Sequence, residues 1–402
     1  MTQSAGEHIL QFLGLPKLKI EKTYRCSKTR YFEFEVHSMS QDAICKRCAT
    51  LSTRIYDTRQ IRLKDAPLRD HKVSWKVFKR RYYCKPCKRP FTELLEGVFS
   101  RSRITDRLRR AILFDGKKSR TLKDVAKTVG LTLTTVQRHF YSALRVDQGR
   151  HLNYPWPKII GIDEKRFGKN PSGYGPKFHT IITDMVNDRV YDILFTKSSK
   201  VLFAQLLESK SWGMENVENV SMDLCEGYRS LSRALFPRAR ITADKFHVVK
   251  LLTPAINQRR KKLAGDRRTN PIGNLLLRSG KNLGLFERSA VHRWLSPHEE
   301  LKIIYEFKER IHGLYRVRGF DRATRAFDFI LEDLKKYSLI KELRTLRWTL
   351  TRWRVETLNY FITGLTNAMA EGFNNKISIL KNNAYGYINE NNFKLRALSA
   401  CL

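Results

Sequence analysis

The sequence predicts a multidomain α/β protein, and three observations carry that expectation. Two Cys-x-x-Cys pairs lie between residues 45 and 87. After residue 155, hydrophobic runs of strand and helix character alternate. A long basic stretch of helical character, residues 251–355, then interrupts that alternation. The 402 residues are enough for about two to four domains, and a hydrophobic share of 42% with 11% aromatics belongs to a folded chain. Net charge is +38. It is not confined to a tail: residues 1–150 carry 34 Lys/Arg against 14 Asp/Glu, and the rest 43 against 25. Both halves are therefore expected to face a polyanion. No apolar run approaches the ~18 residues of a membrane span, and MTQSAGEHILQFLGL lacks the basic start of a secretory signal.

Residues 1–40 read as a small β element. LKIEKTYRC and YFEFEVHS alternate apolar and polar side chains around the turn SKT. Residues 41–98 hold Cys45, Cys48, Cys84 and Cys87, while Cys26, Cys225 and Cys401 are scattered. Each Cys-x-x-Cys aims two thiolates at one point, and two such knuckles make the four-sulfur tetrahedron of a zinc ribbon. Two unrelated cysteine pairs, or a redox pair, are the competing readings. WKVFKRRYYC runs into the second knuckle and interleaves cations with Trp75, Phe78, Tyr82 and Tyr83, as a strand with one face in a small core and one on phosphates would.

Residues 101–150 read as helices. In TLKDVAKTVGLTLTTVQRHFYSALR, Leu122, Val125, Ala126 and Val129 mark one helix and Gly130 the turn. Val136, Phe140 and Leu144 then mark the inward face of a second helix. That helix-turn-helix pattern sets Thr134, Thr135, Gln137 and Arg138 toward a DNA groove; a plain helical hairpin is the alternative. YPWPK breaks the chain at residues 154–158.

Residues 155–250 follow with strand (IIGIDEKRF), hairpin (PKFHTIITDMVNDRVYDILF), helix, strand (VENVSMDL), helix and strand (RARITADKF). Three antiparallel strands followed by helix, strand, helix and strand is the order of a ribonuclease-H-like core with a mixed five-stranded sheet, in which the first and fourth strands are neighbours. Asp163 and Asp223 end hydrophobic strand runs, and Glu371 sits on a helix in residues 356–402, the C-terminal part of that core. Three converging carboxylates can hold two magnesium or manganese ions ~3.5–4 Å apart for in-line phosphoryl transfer. Asp244 and His247 read as groups that hold the ligands in place from behind or as ligands themselves, with helix capping as the plainer role of Asp244. Glu164 points away from Asp163 along the strand, and Glu226 reads as a helix N-terminal charge. Asn367 and Asn375 share a helix face with Glu371, and Asn374 adjoins it. The helical segment 251–355 suits a DNA grip, a subunit contact or a scaffold.

GIDEKRF, TADKFHVVK and above all TNAMAEGFNNKISILKNNAYGYINENNFKLRAL resemble the bacterial insertion-sequence transposases of the IS-L-three group over nearly the whole chain. The resemblance implies an N-terminal zinc-binding domain on the four paired cysteines, a helix-turn-helix, and a DDE catalytic domain with a helical insertion. Its acidic triad falls on Asp163, Asp223 and Glu371. Leu224 and Cys225 stand where many members carry an aromatic residue. It further implies binding of terminal inverted repeats as a homodimer or higher oligomer, metal-dependent cleavage and strand transfer, one structural zinc ion, and a cytoplasmic, nucleoid-associated location. Two rivals remain at this level: a sequence-specific DNA-binding regulator, and a ribonuclease-H-like nuclease without strand transfer.

Overall fold

The computed structural model describes residues 10–26, 28–99, 102–118, 121–151, 154–169, 176–264, 271–384, 387 and 389–401. They separate into two compact units. One comprises residues 1–153 with 380–400, and the other residues 154–379 with 401–402.

In the first unit, strands β1 (Leu18–Cys26), β2 (Tyr31–Ser38), β5 (Ile55–Leu68), β6 (His71–Cys84) and β7 (Arg89–Thr92) form one sheet. Its order is β1-β2-β6-β5, with β7 also on β6. Residues 1–40 therefore do not stand apart from the cysteine-bearing segment: β2 pairs in parallel with β6, setting Phe34 level with Trp75 and Val36 with Val77. The reason is burial. Trp75, Val77, Val36, Leu63 and Leu15 share one apolar cluster that neither segment could close alone. The short strands β3 (Ala43–Ile44) and β4 (Leu51–Ser52) flank the first cysteine knuckle.

Helices α1 (Asp106–Lys118), α2 (Leu122–Val129) and α3 (Leu133–His151) follow. Thr121 caps α2 by accepting from the Asp124 amide at 3.2 Å. Gly130 ends it in the left-handed region at φ 66°, returning its N–H to Ala126. Leu122, Val125, Ala126, Val129, Val136, Phe140 and Leu144 are all buried in one cluster. The last helix, α15 (Glu390–Ala400), departs from its expected place in the catalytic core. It packs in this unit: Leu395 joins the α1–α3 cluster, the Gln148 side chain donates to the Leu395 carbonyl at 2.9 Å, and Arg396 donates to the Gly116 carbonyl.

In the second unit, β8 (Ile159–Lys169), β9 (Pro176–Asp184), β10 (Arg189–Leu194), β11 (Asn219–Met222) and β12 (Arg240–Ala243) form a mixed sheet. The order is β10-β9-β8-β11-β12. β8 and β9 are antiparallel, as are β9 and β10, while β11 is parallel to both β8 and β12. Asp184 fastens the β9–β10 turn by accepting from the Val186 and Asn187 amides and from Arg189. Helices α4 (Ser199–Lys210) and α5 (Glu226–Leu235) cover one face, where Ile160, Ile162, Val220 and Met222 meet Leu202, Leu206 and Leu231. The chain then runs through α6 (Lys245–Val249), α7 (Thr253–Ala264), α8 (Pro271–Leu277), α9 (Leu285–Leu295), α10 (Glu299–Leu314), α11 (Phe320–Lys335) and α12 (Lys341–Arg352). These helices build a second apolar cluster that extends to Ala243 of β12. Helix α13 (Arg354–Thr363) returns to the sheet, where Asn359 donates to the Ile241 carbonyl at 2.7 Å, and α14 (Ala368–Asn383) follows.

One buried carboxylate ties the first sheet to α1. Asp65 of β5 accepts from the Trp75 indole at 3.0 Å, from the Thr105 hydroxyl and from Arg107 at 2.9 Å. Its side chain is fully enclosed, whereas Arg107 is 27% exposed. Asp65→Ala removes the carboxylate that the Trp75 indole, the Thr105 hydroxyl, the Ala66 amide and Arg107 all donate to, leaving Arg107 only the Ala66 carbonyl, so it is expected to destabilise the first unit by about 3 kcal/mol, the low end for a broken buried pair. A denaturant titration of the full chain checks this; a loss below ~1 kcal/mol would mean the network is dispensable.

Candidate active site and metal centre

Strand periodicity sorts the second sheet's residues. Ile160 and Ile162, Val220 and Met222 enter the core, so Gly161 and Asp163, Ser221 and Asp223 face the other way. Register aligns them: Ile162 sits level with Met222, and Met222 with Ala243. The next residue on each chain is an aspartate, so Asp163, Asp223 and Asp244 form one row across three parallel strands. Helix α14 is held by buried Ala370, Phe373, Asn374 and Ile377, and brings Glu371 in its first turn to the same cleft. That cleft holds about 540 Å³ and is lined by Asp163, Asp223, Asp244, His247, Glu371 and Asn374, with Lys165 and Lys245 among its cations.

The hydrogen bonds are specific. Asp163 accepts from the Glu164 amide at 2.7 Å and from the Asn374 side chain. Asp244 caps α6, accepting from the His247 amide at 3.3 Å and from the His247 ring at 3.0 Å. Its other oxygen accepts from the Asn367 amide at 2.9 Å. The Asn367 side chain donates to the Ile162 carbonyl at 3.3 Å. Gly161 makes room for it, since a Cβ there would lie 2.7 Å from the Asn367 side-chain oxygen, Oδ1. Thus Asn367 and Asn374, not Asn375, make these bonds; α14 turns its i+3 residue inward, a detail that helical spacing left open.

The electrostatics describe a site short of positive charge. Burial first, and then the Asp223 charge, push the Asp163 carboxyl up to about 7. The Asp223 and Asp244 carboxylates hold the His247 imidazole up to about 10. Burial opposes ionisation of Asp244, yet bonds from His247 and the Asn367 amide keep its pKa below the usual value. The His247 Nδ1 lies 2.9 Å from an Asp223 oxygen, but its hydrogen bond goes to Asp244, so that buried oxygen lacks an aligned donor. Asp223, Asp244 and His247 place ligand atoms within 4.8 Å of one another. Two half-buried aspartates side by side on one cleft are a donor set that a hard divalent cation takes. Glu371, exposed and across the cleft, would be the third oxygen donor.

Cys45, Cys48, Cys84 and Cys87 place their sulfurs within 4.8 Å of one another, with Cys48 and Cys84 at 3.4 Å. Both knuckles turn alike: Ala49 and Lys88, each following the second cysteine, adopt φ 57° and 50°. The Thr50 hydroxyl and amide lower the Cys48 thiol to about 6, whereas Cys48 and then burial push Cys87 up to about 12. Four thiols at such range cannot all ionise without a cation, and a tetrahedral zinc ion is the natural one.

Of the four groove residues expected on α3, Thr134, Gln137 and Arg138 are exposed and Thr135 is half-buried. The Thr135 hydroxyl pairs with that of Thr132 at 2.8 Å, within the cap of α3. Among the described residues no helix is long and apolar enough to cross a membrane.

A family of proteins described as "Transposase", the DDE type of the IS-L-three group, matches residues 160–397. The chain is also similar to the transposase for insertion sequence element IS1001 of Bordetella parapertussis. They are 25% identical over 369 residues, covering 89% of this chain and 88% of that relative.

The zinc centre generates a prediction. Purified protein should carry one equivalent of zinc, and Cys48→Ser or Cys84→Ser should each reduce it more than about tenfold, because a lost thiolate removes one of four tetrahedral bonds. Metal analysis decides: full zinc content in either variant would refute the four-thiolate site.

Proposed function

Since the chain belongs to the DDE transposases of the IS-L-three group, we propose that it cuts and joins the ends of its own insertion sequence through Asp163, Asp223 and Glu371. The observation that carries this reading is the row of Asp163 and Asp223 on adjacent parallel strands with Glu371 on the same cleft. The sheet order, with its first and fourth strands adjacent, supports a ribonuclease-H-like core.

On this reading the three carboxylates hold two magnesium or manganese ions. When bound, the ions acidify the attacking hydroxyl and stabilise the departing oxygen. Asp163, half-buried and fixed by Asn374, would hold the ions together with Asp223 and Glu371. Asp244 and His247 keep the Asp223 carboxylate in place from behind. Lys165 and Lys245 at the rim offset phosphate charge. Water is the first nucleophile: a new P–O bond forms as the bond to the 3′ oxygen breaks, and that oxygen leaves as a hydroxyl. The freed 3′-hydroxyl is the second nucleophile, now against target DNA. No enzyme–DNA bond is required. The α1–α3 segment and the zinc-bearing sheet read the terminal inverted repeats, a homodimer or higher oligomer brings two ends together, and the protein works in the cytoplasm on the nucleoid.

The test is a labelled duplex carrying the DNA that flanks the gene, incubated with magnesium or manganese. Wild type should cut at a defined end and yield joined products. Asp163→Asn, Asp223→Asn and Glu371→Gln should each slow cutting by about 10³-fold or more, since a lost metal ligand removes several kcal/mol of charge stabilisation. Normal cutting by any of the three would remove that residue from the site. Cutting without joining would make the protein a nuclease of the same fold.

A further inference from the structure

One cleft of the first unit has no part in that chemistry. It holds about 740 Å³ and gathers cations from separate stretches of chain. Strand β5 contributes Arg62 and Lys64, the segment before α1 contributes Arg103, α1 contributes Arg109, and α3 contributes Arg138 beside His139. No carboxylate lines it. Three of the cations are anchored by partners at its edge. Arg62 pairs with Glu33 at 2.7 Å, Lys64 donates to the Gly130 carbonyl at 2.8 Å, and Arg109 lies 3.6 Å from Asp106 and over the Phe99 ring. Arg103 and Arg138 are exposed, and neither has an ion pair among the described residues. His139 adds no charge at neutral pH, because burial and then Arg138 and Arg109 hold it below its usual value.

Gathering five like charges is unfavourable unless an anion relieves it. The charges are spread over a sheet edge, a loop and two helices, which suits a line of phosphates better than a single bound anion. The same helix α3 exposes Thr134 and Gln137, two of the four residues expected to face a DNA groove, while the other two, Thr135 and Arg138, line this cleft instead. Phosphate contacts that fix register beside groove-reading residues are the usual division of labour on duplex DNA.

We propose that this cleft seats the phosphate backbone of duplex DNA without regard to sequence, and that Arg103 and Arg138 are its free cations. The proposal rests on the DNA-binding part of the reading above and adds that the cysteine-bearing sheet and the helical segment grip one stretch of backbone together.

The experiment measures binding of the full-length protein, without added magnesium, to a duplex carrying the gene's flanking end and to a scrambled duplex of equal length, across a salt series. Arg103→Ala and Arg138→Ala should weaken both complexes by similar factors. Each should lower the slope of log affinity against log salt by about one, so that affinity falls roughly fourfold less between about 50 and about 200 mM salt. Arg103→Lys should keep the wild-type slope, and zinc content should be unchanged in all three. An unchanged slope in Arg103→Ala and Arg138→Ala overturns the proposal. So does a loss confined to the flanking-end duplex, which would make these residues base readers. Displacement of DNA by inorganic phosphate at matched ionic strength would assign the cleft to a free anion and overturn it too. If wild type never cuts but the variants lower the slope, the cleft stands and the proposed function falls. If wild type cuts and the slopes do not move, the cleft alone falls.

Discussion

The second unit depends on one unfavourable interaction: two aspartates held side by side on adjacent parallel strands. Two like charges so placed repel each other in a poorly solvated cleft. Desolvation adds to this at Asp163, whose carboxyl is pushed up to about 7. The surrounding structure answers that cost from several directions. Asn374 donates to Asp163, the Glu164 amide donates to the same carboxylate, and a charged His247 sits against Asp223 and Asp244. At Asp223 the answer is mainly Coulombic, since one of its oxygens lies 2.9 Å from the His247 ring without an aligned hydrogen bond.

The first unit meets a comparable problem with different means. Its sheet is small, and its core rests on Trp75, Leu63, Val36 and a few neighbours. A buried carboxylate, Asp65, orients Trp75 and anchors α1, while four cysteines close the far end of the β5–β6 hairpin. Both devices replace apolar area that a short sheet cannot supply.

Much of this was legible because it is local. Strand alternation found β8 through β12, and the repeated motif of a hydrophobic run ending in aspartate (IIGID, VSMD, ITAD) marked the row that register then assembled. Gly130 and the apolar spacing around it placed α2 and α3. What the sequence left open depends on long-range packing. The parallel pairing of β2 with β6 joins segments that looked separate. Helix α15 carries the same apolar signal whichever unit it covers, and only the fit of Leu395 and Arg396 assigns it to the first. The buried Lys308 of α10, which donates to the Leu276 and Arg278 carbonyls, reads in sequence as one more surface cation.

The three aspartates of the row are not equivalent, and their hydrogen bonds say why. Asp244 is already saturated: one oxygen takes the Asn367 amide and the other takes the His247 ring and amide. A carboxylate so engaged has little left to offer a cation, and a His247 nitrogen that donates to it has no lone pair free on that atom. Asp223 has an oxygen beside the His247 ring but no aligned hydrogen bond to it, and Asp163 is held by two donors on a strand that continues past it. Asp223, Asp244 and His247 lie close enough to share a metal, but on the proposed reading this pattern of donors suits Asp163 and Asp223 as the ligands, with Asp244 and His247 as the brace behind them. The capping of α6 and the support of the site are one set of bonds, so the helical segment that begins there inherits its starting direction from the carboxylate row.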